Sequence, residues 1–193
     1  MKVRSALIAT AAVLCAQAAS AAIVPFSGAL ANTDQTFNRP QLGNPPSGLS
    51  VVGTSVFYDL FPFFVNITTS YSLETLSASF SPFSTDDTFM VLYQTAFNRL
   101  TPLANVLEAD DDAGAGLLSL ITRTLNPGTQ YFMVVTSFGN AVTGAYTGQI
   151  ASTTGTATFG TLGGVVSTPS TLALVPLALA ALALTRRRKV TTV

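Results

Sequence analysis

Between positions 23 and 162, short runs of Val, Ile, Phe, Tyr and Thr alternate with breaks of Gly, Pro, Asn and Asp. No stretch there carries the 3.6-residue repeat of an amphipathic helix. The pattern predicts strands over 23–30, 50–58, 63–69, 71–79, 88–93, 117–125, 130–138, 144–151 and 156–162. Asn126-Pro127-Gly128-Thr129 joins two of them with turn chemistry, since Pro presets φ and Gly tolerates a positive φ. Tyr131-Phe132-Met133-Val134-Val135 is apolar at every position, so both faces should be covered, as in a central strand. Eight or nine short strands in one domain predict an all-β, two-sheet sandwich.

Two stretches resist strand assignment. Positions 31–48 carry Pro40, Pro45, Pro46, Gly43 and Gly48; positions 95–116 carry Pro102 and an acidic run. Loops of that length in a compact domain are more often functional or mobile than incidental. Phe37-Asn38-Arg39 recurs as Phe97-Asn98-Arg99, one copy in each loop, and two tripeptides are more simply read as coincidence than as duplication.

The two ends have a different texture. Lys2 and Arg4, an apolar stretch over 6–16 and the small residues Ala19-Ser20-Ala21 have the three-part layout of a secretory leader, with cleavage after Ala21 or Ala22. Acylation at Cys15 is the rival reading, but Leu14 is a poor fit to the small residue that cut requires. At the other end, the 13-residue apolar run 172–184 would make a helix of roughly 20 Å, short of a hydrocarbon core of about 30 Å. Arg186-Arg187-Arg188-Lys189 follows as a stop signal held on the cytoplasmic side. Such a tail suits a transient tether.

Composition sharpens this picture. The formal charge is zero, but two cations fall in the leader and four in the tail. Arg39, Arg99 and Arg123 then face nine acids, so the exported part carries −6, which disfavours nucleic acid as a partner. Removal of the leader takes Cys15 with it and leaves no disulfide chemistry. The chain has no His, and both lysines lie in the ends, so the commonest general base and the Schiff-base nucleophile are missing. Glu74 or Glu108 with an aspartate could form a glycosidase-type carboxylate pair, but nothing in the sequence places one on a cleft wall. The expectation is a non-enzyme.

Val166-Ser167-Thr168-Pro169-Ser170-Thr171-Leu172-Ala173-Leu174, the apolar run and the basic cluster together resemble the PEP-CTERM sorting tail of Gram-negative bacteria. That family carries a Pro-Glu-Pro motif and is processed by an exosortase; here Pro169 matches, while Ser167 and Thr168 replace the first Pro and the Glu. A plain C-terminal membrane anchor is the alternative. The leader implies signal peptidase as a processing partner; the resemblance implies an exosortase-type protease, transient contact with the inner membrane, and a final place in the envelope or the extracellular polysaccharide.

A second resemblance covers the middle. Asp86-Asp87-Thr88-Phe89-Met90-Val91-Leu92-Tyr93, then Asp110-Asp111-Asp112, then Leu125-Asn126-Pro127-Gly128-Thr129-Gln130-Tyr131 is similar to the bacterial pre-peptidase C-terminal domain. It implies a jelly-roll-like sandwich, an accessory module without chemistry of its own.

Three smaller features remain. Asp86, Asp87, Asp110, Asp111 and Asp112 are candidate Ca²⁺ ligands, because calcium accepts many oxygen ligands in irregular geometry; a solvated acidic loop is the alternative. The run fails the EF-hand pattern, with Ile121 where the bidentate Glu would stand. Phe37, Phe83 and Phe97 lie in loops and are the candidate partner surface for a carbohydrate or protein. Asn66-Ile67-Thr68 matches a glycosylation sequon, but within an expected strand it reads as chance. The expected architecture is a signal peptide (1–21), a β-sandwich (22–162), a spacer with the sorting motif (163–171), a hydrophobic helix (172–185) and a basic tail (186–193).

Overall fold

A computed structural model describes residues 21–82 and 86–163 of the chain. Of the expected features, Ala19, Phe83, the sorting motif over Ser167 to Thr171, the two terminal helices and the basic cluster Arg186 to Lys189 lie outside the described residues.

Ten strands follow in chain order: β1 (Ala22–Leu30), β2 (Thr36–Phe37), β3 (Val56–Val65), β4 (Thr69–Ser81), β5 (Thr88–Gln94), β6 (Val106–Asp110), β7 (Leu120–Leu125), β8 (Tyr131–Ser137), β9 (Thr143–Ser152) and β10 (Ala157–Phe159). The domain is all-β, with no helix among the described residues. Two antiparallel sheets pack face to face. One has the order β1-β9-β4-β7; the other runs β10-β3-β8-β5-β6, with β2 also paired to β3.

The main core fills the space between the sheets. Phe63, Leu73, Met90, Leu92, Ile121 and Met133 are all fully buried there, and each such side chain contributes about 1.5–3 kcal/mol by leaving water. A second cluster lies on the outer face of the larger sheet: Phe37, Val56, Phe89, Val91, Tyr93, Ala109 and Val134. The larger sheet is therefore covered on both sides. That explains why β5 is buried from Thr88 to Tyr93 and why β8, apolar throughout, sits at the centre of the strand order. The two long loops supply the cover, since Phe37 and Phe97 pack on each other and on Tyr58.

Three sequence expectations change. The strands expected over 50–58 and 63–69 are one strand, β3; residues 50–55 are a turn in which Ser50 Oγ accepts from Val52 N and Gly53 N. Pro62 does not break β3, because its carbonyl accepts from Gly160 N at 2.7 Å and its nitrogen faces the same edge. The ladder with β10 ends here, and the Gly160 carbonyl opposite Pro62 accepts instead from Gln130 Nε2 at 3.1 Å, so the missing N–H leaves no acceptor unpaired. Second, the loops expected over 31–48 and 95–116 each contain a strand, β2 and β6. β6 is an outer strand whose ladder is closed by Gly43, which exchanges two backbone bonds with Ala109 (3.1 and 2.9 Å). Third, Asn66-Ile67-Thr68 is no strand: β3 ends at Val65, and all three residues are exposed in the turn before β4.

The sandwich has two poles. The first strand begins beside the end of β9, at the pairing of Ala22 with Ser152. The last described residues leave from the same pole, where Leu162 N donates to Gln130 Oε1 at the start of β8. At the opposite pole, Leu30, Ser81, Asp110 and Ser137 end their strands and Thr88 and Thr143 begin theirs. Nine residues of β1 separate the poles by about 30 Å.

Candidate functional site

The distal pole gathers the acidic loops. β6 ends at Asp110, and its carboxylate becomes the loop's internal cap: Oδ2 accepts from Ala113 N at 3.2 Å and from Leu120 N at 2.8 Å. That turn throws Asp111 and Asp112 toward Asp87, which precedes β5. One carboxylate oxygen from each of Asp87, Asp111 and Asp112 lies within 4.8 Å of the others. Asp86 is not part of the trio; its carboxylate lies over Gly116. Of the five candidate ligands, three converge, one shapes the loop and one stands aside.

A hydroxyl network pins this loop to both sheets. Thr75 in β4, Thr88 in β5 and Ser119 just before β7 are buried, with Oγ1–Oγ1 contact at 2.8 Å between the threonines and 3.1 Å from Thr88 to Ser119 Oγ. Ser119 N donates to both threonine hydroxyls at 2.9 Å. The loop carrying Asp111 and Asp112 is thereby anchored next to the start of β5, which carries Asp87.

Arg39 completes the site. It is 3% exposed, with its guanidinium 3.7 Å from the Phe89 ring centroid and 4.9 Å from that of Phe138. Nε and Nη2 donate to Phe138 O (3.1 and 2.9 Å), and Nη1 donates to Pro40 O at 3.2 Å. No carboxylate comes within 4.0 Å of it among the described residues; the salt bridge present there joins Arg123 to Glu108. Arg39 therefore acts on the trio through space. Sequence reasoning passed over it, although a lone arginine between Asn and Pro in an otherwise cation-poor loop is a usable signal.

The electrostatics reflect crowding. Burial, then the neighbouring charges of Asp112 and Asp87, push the Asp111 carboxyl up to about 7, against the lowering influence of Arg39. Asp87 is raised for the same reasons, burial first and Asp112 next. Burial also lowers the Arg39 guanidinium from its ordinary value. Asp111 Oδ1 is buried and has no hydrogen-bond partner among the described residues. Such an oxygen costs free energy until a proton or cation satisfies it. The span of the trio matches one calcium ion, because opposite ligands at about 2.3–2.6 Å stand about 4.6–5.2 Å apart.

The other candidates sit elsewhere. Phe37 is 4% exposed, and Phe97 packs against Phe37, Tyr58 and Tyr93. These rings are spent on covering the larger sheet, which argues against the partner surface expected of them. Glu74 accepts from Gln149 in the smaller sheet and Glu108 pairs with Arg123 beside the larger one, so both glutamates weighed for a carboxylate pair are engaged where they stand. A shallow groove of about 310 Å³ opens at the opposite pole, lined by Ile23, Ser70, Ser72, Thr122 and Ser152 among others, with no titratable side chain. No described helix is long and apolar enough to cross a membrane.

No family model matches this chain, and no curated protein is similar to it.

Proposed function

We propose that the protein is an exported, non-catalytic surface or matrix protein, trimmed by signal peptidase at its N-terminus and by an exosortase-type protease near Pro169. Its role is structural or adhesive in the envelope or the exopolysaccharide. The observation that carries the reading is the polarity of the domain. The chain leaves toward the tail at one pole, and the acidic loops stand about 30 Å away at the other. A domain held by its tail would present those loops outward. The cleavage reading is supported by the position of Ala22, which follows the Ala19-Ser20-Ala21 site and opens β1, so a cut after Ala21 leaves the sandwich whole and one after Ala22 takes only the first residue of β1.

The jelly-roll form belongs to this reading. The orders β1-β9-β4-β7 and β3-β8-β5-β6 support it, being the arrangement of eight strands wound as two Greek keys. Within it, Asp87, Asp111 and Asp112 hold Ca²⁺, and the buried Asp111 oxygen is the specific support for that assignment.

Intact mass of the protein from the envelope and culture medium of a native host tests the reading. Loss of the leader and of everything after about Pro169, in material found mainly outside the cell, is the expected result. A product that keeps Arg186 to Val193 and stays in the inner membrane makes the tail a simple anchor and removes the matrix role.

A second reading, a carbohydrate- or protein-binding accessory module, draws on the trio instead of the loop rings. A bound calcium with open coordination sites can take hydroxyl or carboxylate oxygens from a glycan. Binding on a glycan array that chelator abolishes would favour it.

A further inference from the structure

We propose that Asn66 is a glycan attachment site, carrying an amide-linked sugar on the turn between β3 and β4. The inference rests on the export proposed above. Its ground is the conformation of the Asn66-Ile67-Thr68 turn, which a reading of the sequence alone placed inside a strand.

Asn66 sits one residue past the end of β3 and completes its ladder with β10. Its backbone N donates to Thr156 O at 3.2 Å, and Thr156 N donates to Asn66 Oδ1 at 2.7 Å. A backbone N–H can only donate, so the atom facing Thr156 must be the amide oxygen, and this fixes Nδ2 on the other side. Tyr71 Oη donates to Ile67 O at 3.1 Å and stands 3.4 Å from the same Asn66 oxygen. Nδ2 has no partner among the described residues, and Asn66 is exposed. The nitrogen that would carry a sugar is thus presented to solvent by bonds that hold only its oxygen.

The rest of the sequon is equally accessible. Ile67 is 40% exposed, and the exposed Thr68 donates through Oγ1 to Asn126 Oδ1 at 3.1 Å. The neighbouring turn leaves room: a Cβ built on Gly128 would meet nothing within 4 Å. Asn66 lies at the pole where the chain exits, away from the acidic trio. A glycan here would shield the junction between domain and spacer without covering the loops.

The co-reactant is a glycosyl phosphate donor. Asn66 Nδ2 forms a bond to the anomeric carbon as the carbon–oxygen bond to phosphate breaks. The phosphate leaves with the electron pair, and the amide nitrogen gives up one proton to a base of the transferase. Nothing is oxidised or reduced.

The test is peptide mapping by mass spectrometry on the full-length gene product recovered from a native host, together with its intact mass. A leader-free protein whose Asn66 peptide carries a glycosyl adduct is the expected result. T68S should keep the adduct and T68V should lose it entirely. T68V leaves the bonds of Asn66 in place, and an unchanged melting temperature would separate loss of modification from loss of fold. Leader-free protein with bare Asn66 overturns the inference and leaves the export reading standing. Bare Asn66 on a chain that keeps its leader overturns both.

Discussion

Substituting Asp111→Asn probes the electrostatic account of the acidic pole directly. In the folded domain the Asp111 carboxyl is pushed from 3.8 to about 7, mainly by burial and then by Asp112 and Asp87. A folded pKa above the unfolded value means the folded state binds the extra proton. Stability from this group is therefore complete below about pH 4 and is lost as pH rises through 7. A rise of about three units at about 1.36 kcal/mol each sets a ceiling near 4 kcal/mol. The carboxyl is only partly buried and is screened, so a net effect of about 1–2 kcal/mol is the working figure. For a domain of this size that is about 3–6 °C in melting temperature. Thermal melts of the leader-free protein in chelator should thus show a fall of that size between about pH 4.5 and pH 7.5. The substituted amide cannot ionise, so the variant should melt about 3–6 °C above the parent at about pH 7.5 and show a much flatter pH profile. Millimolar Ca²⁺ should raise the parent and leave the variant unmoved. A parent profile that is level or rising over that range, or a variant less stable than the parent at its alkaline end, would refute the reasoning.

Other perturbations test separate parts of the structure. Because Asp111 must release its proton before it can coordinate a metal, calcium affinity by calorimetry should drop about tenfold per pH unit below 7; pH-independent affinity would remove Asp111 from the ligand set. Arg39→Ala deletes three hydrogen bonds and two ring contacts at a buried site, and urea denaturation should show a loss of about 3 kcal/mol. Thr88→Val leaves Ser119 short of a buried partner; a loss of about 1–3 kcal/mol is expected, together with weaker calcium binding as the loop loosens. Gly28→Ala would drive a methyl into Tyr146 and Asp59, which share a 2.5 Å hydrogen bond between the sheets. It should cost about 2 kcal/mol or more by the same denaturation assay.

The core was more legible in the sequence than the edges were. Tyr131 to Val135 advertised its central place because residues buried on two faces must be apolar without alternation. Val106 to Asp110 did not advertise itself. As an outer strand it is only half covered, its partner on one side is Gly43 from a loop, and its last residue carries a charge. The break expected between 58 and 63, where Pro62 lies, is absent for a related reason: whether a proline breaks a strand depends on which edge its nitrogen faces, and that is a property of neighbours distant in sequence. The acidic site was legible as composition and not as geometry. Five aspartates in two loops pointed to one pole, but which three converge is decided by Asp110 capping its own loop and by the Thr75–Thr88–Ser119 network. Those contacts span up to 44 residues of chain.

The arrangement around Arg39 bears on what the acidic pole is for. If the trio were only a structural ion cluster, the nearest cation would be expected to pair with it, since a buried guanidinium beside carboxylates gains most from a bidentate bond. Arg39 instead turns its donors to the carbonyls of Phe138 and Pro40 and its faces to two rings. It lends positive potential to Asp87 and Asp111 without occupying their oxygens. What remains is a group of three carboxylates with one buried oxygen unpartnered and two of the three carrying raised pKa values, a costly state for a domain with no disulfide to hold it. A divalent cation bound there would remove that cost by supplying the charge that Arg39 withholds. It would also tie β6 and its loop to the start of β5, at the pole opposite the one where the last described residues leave.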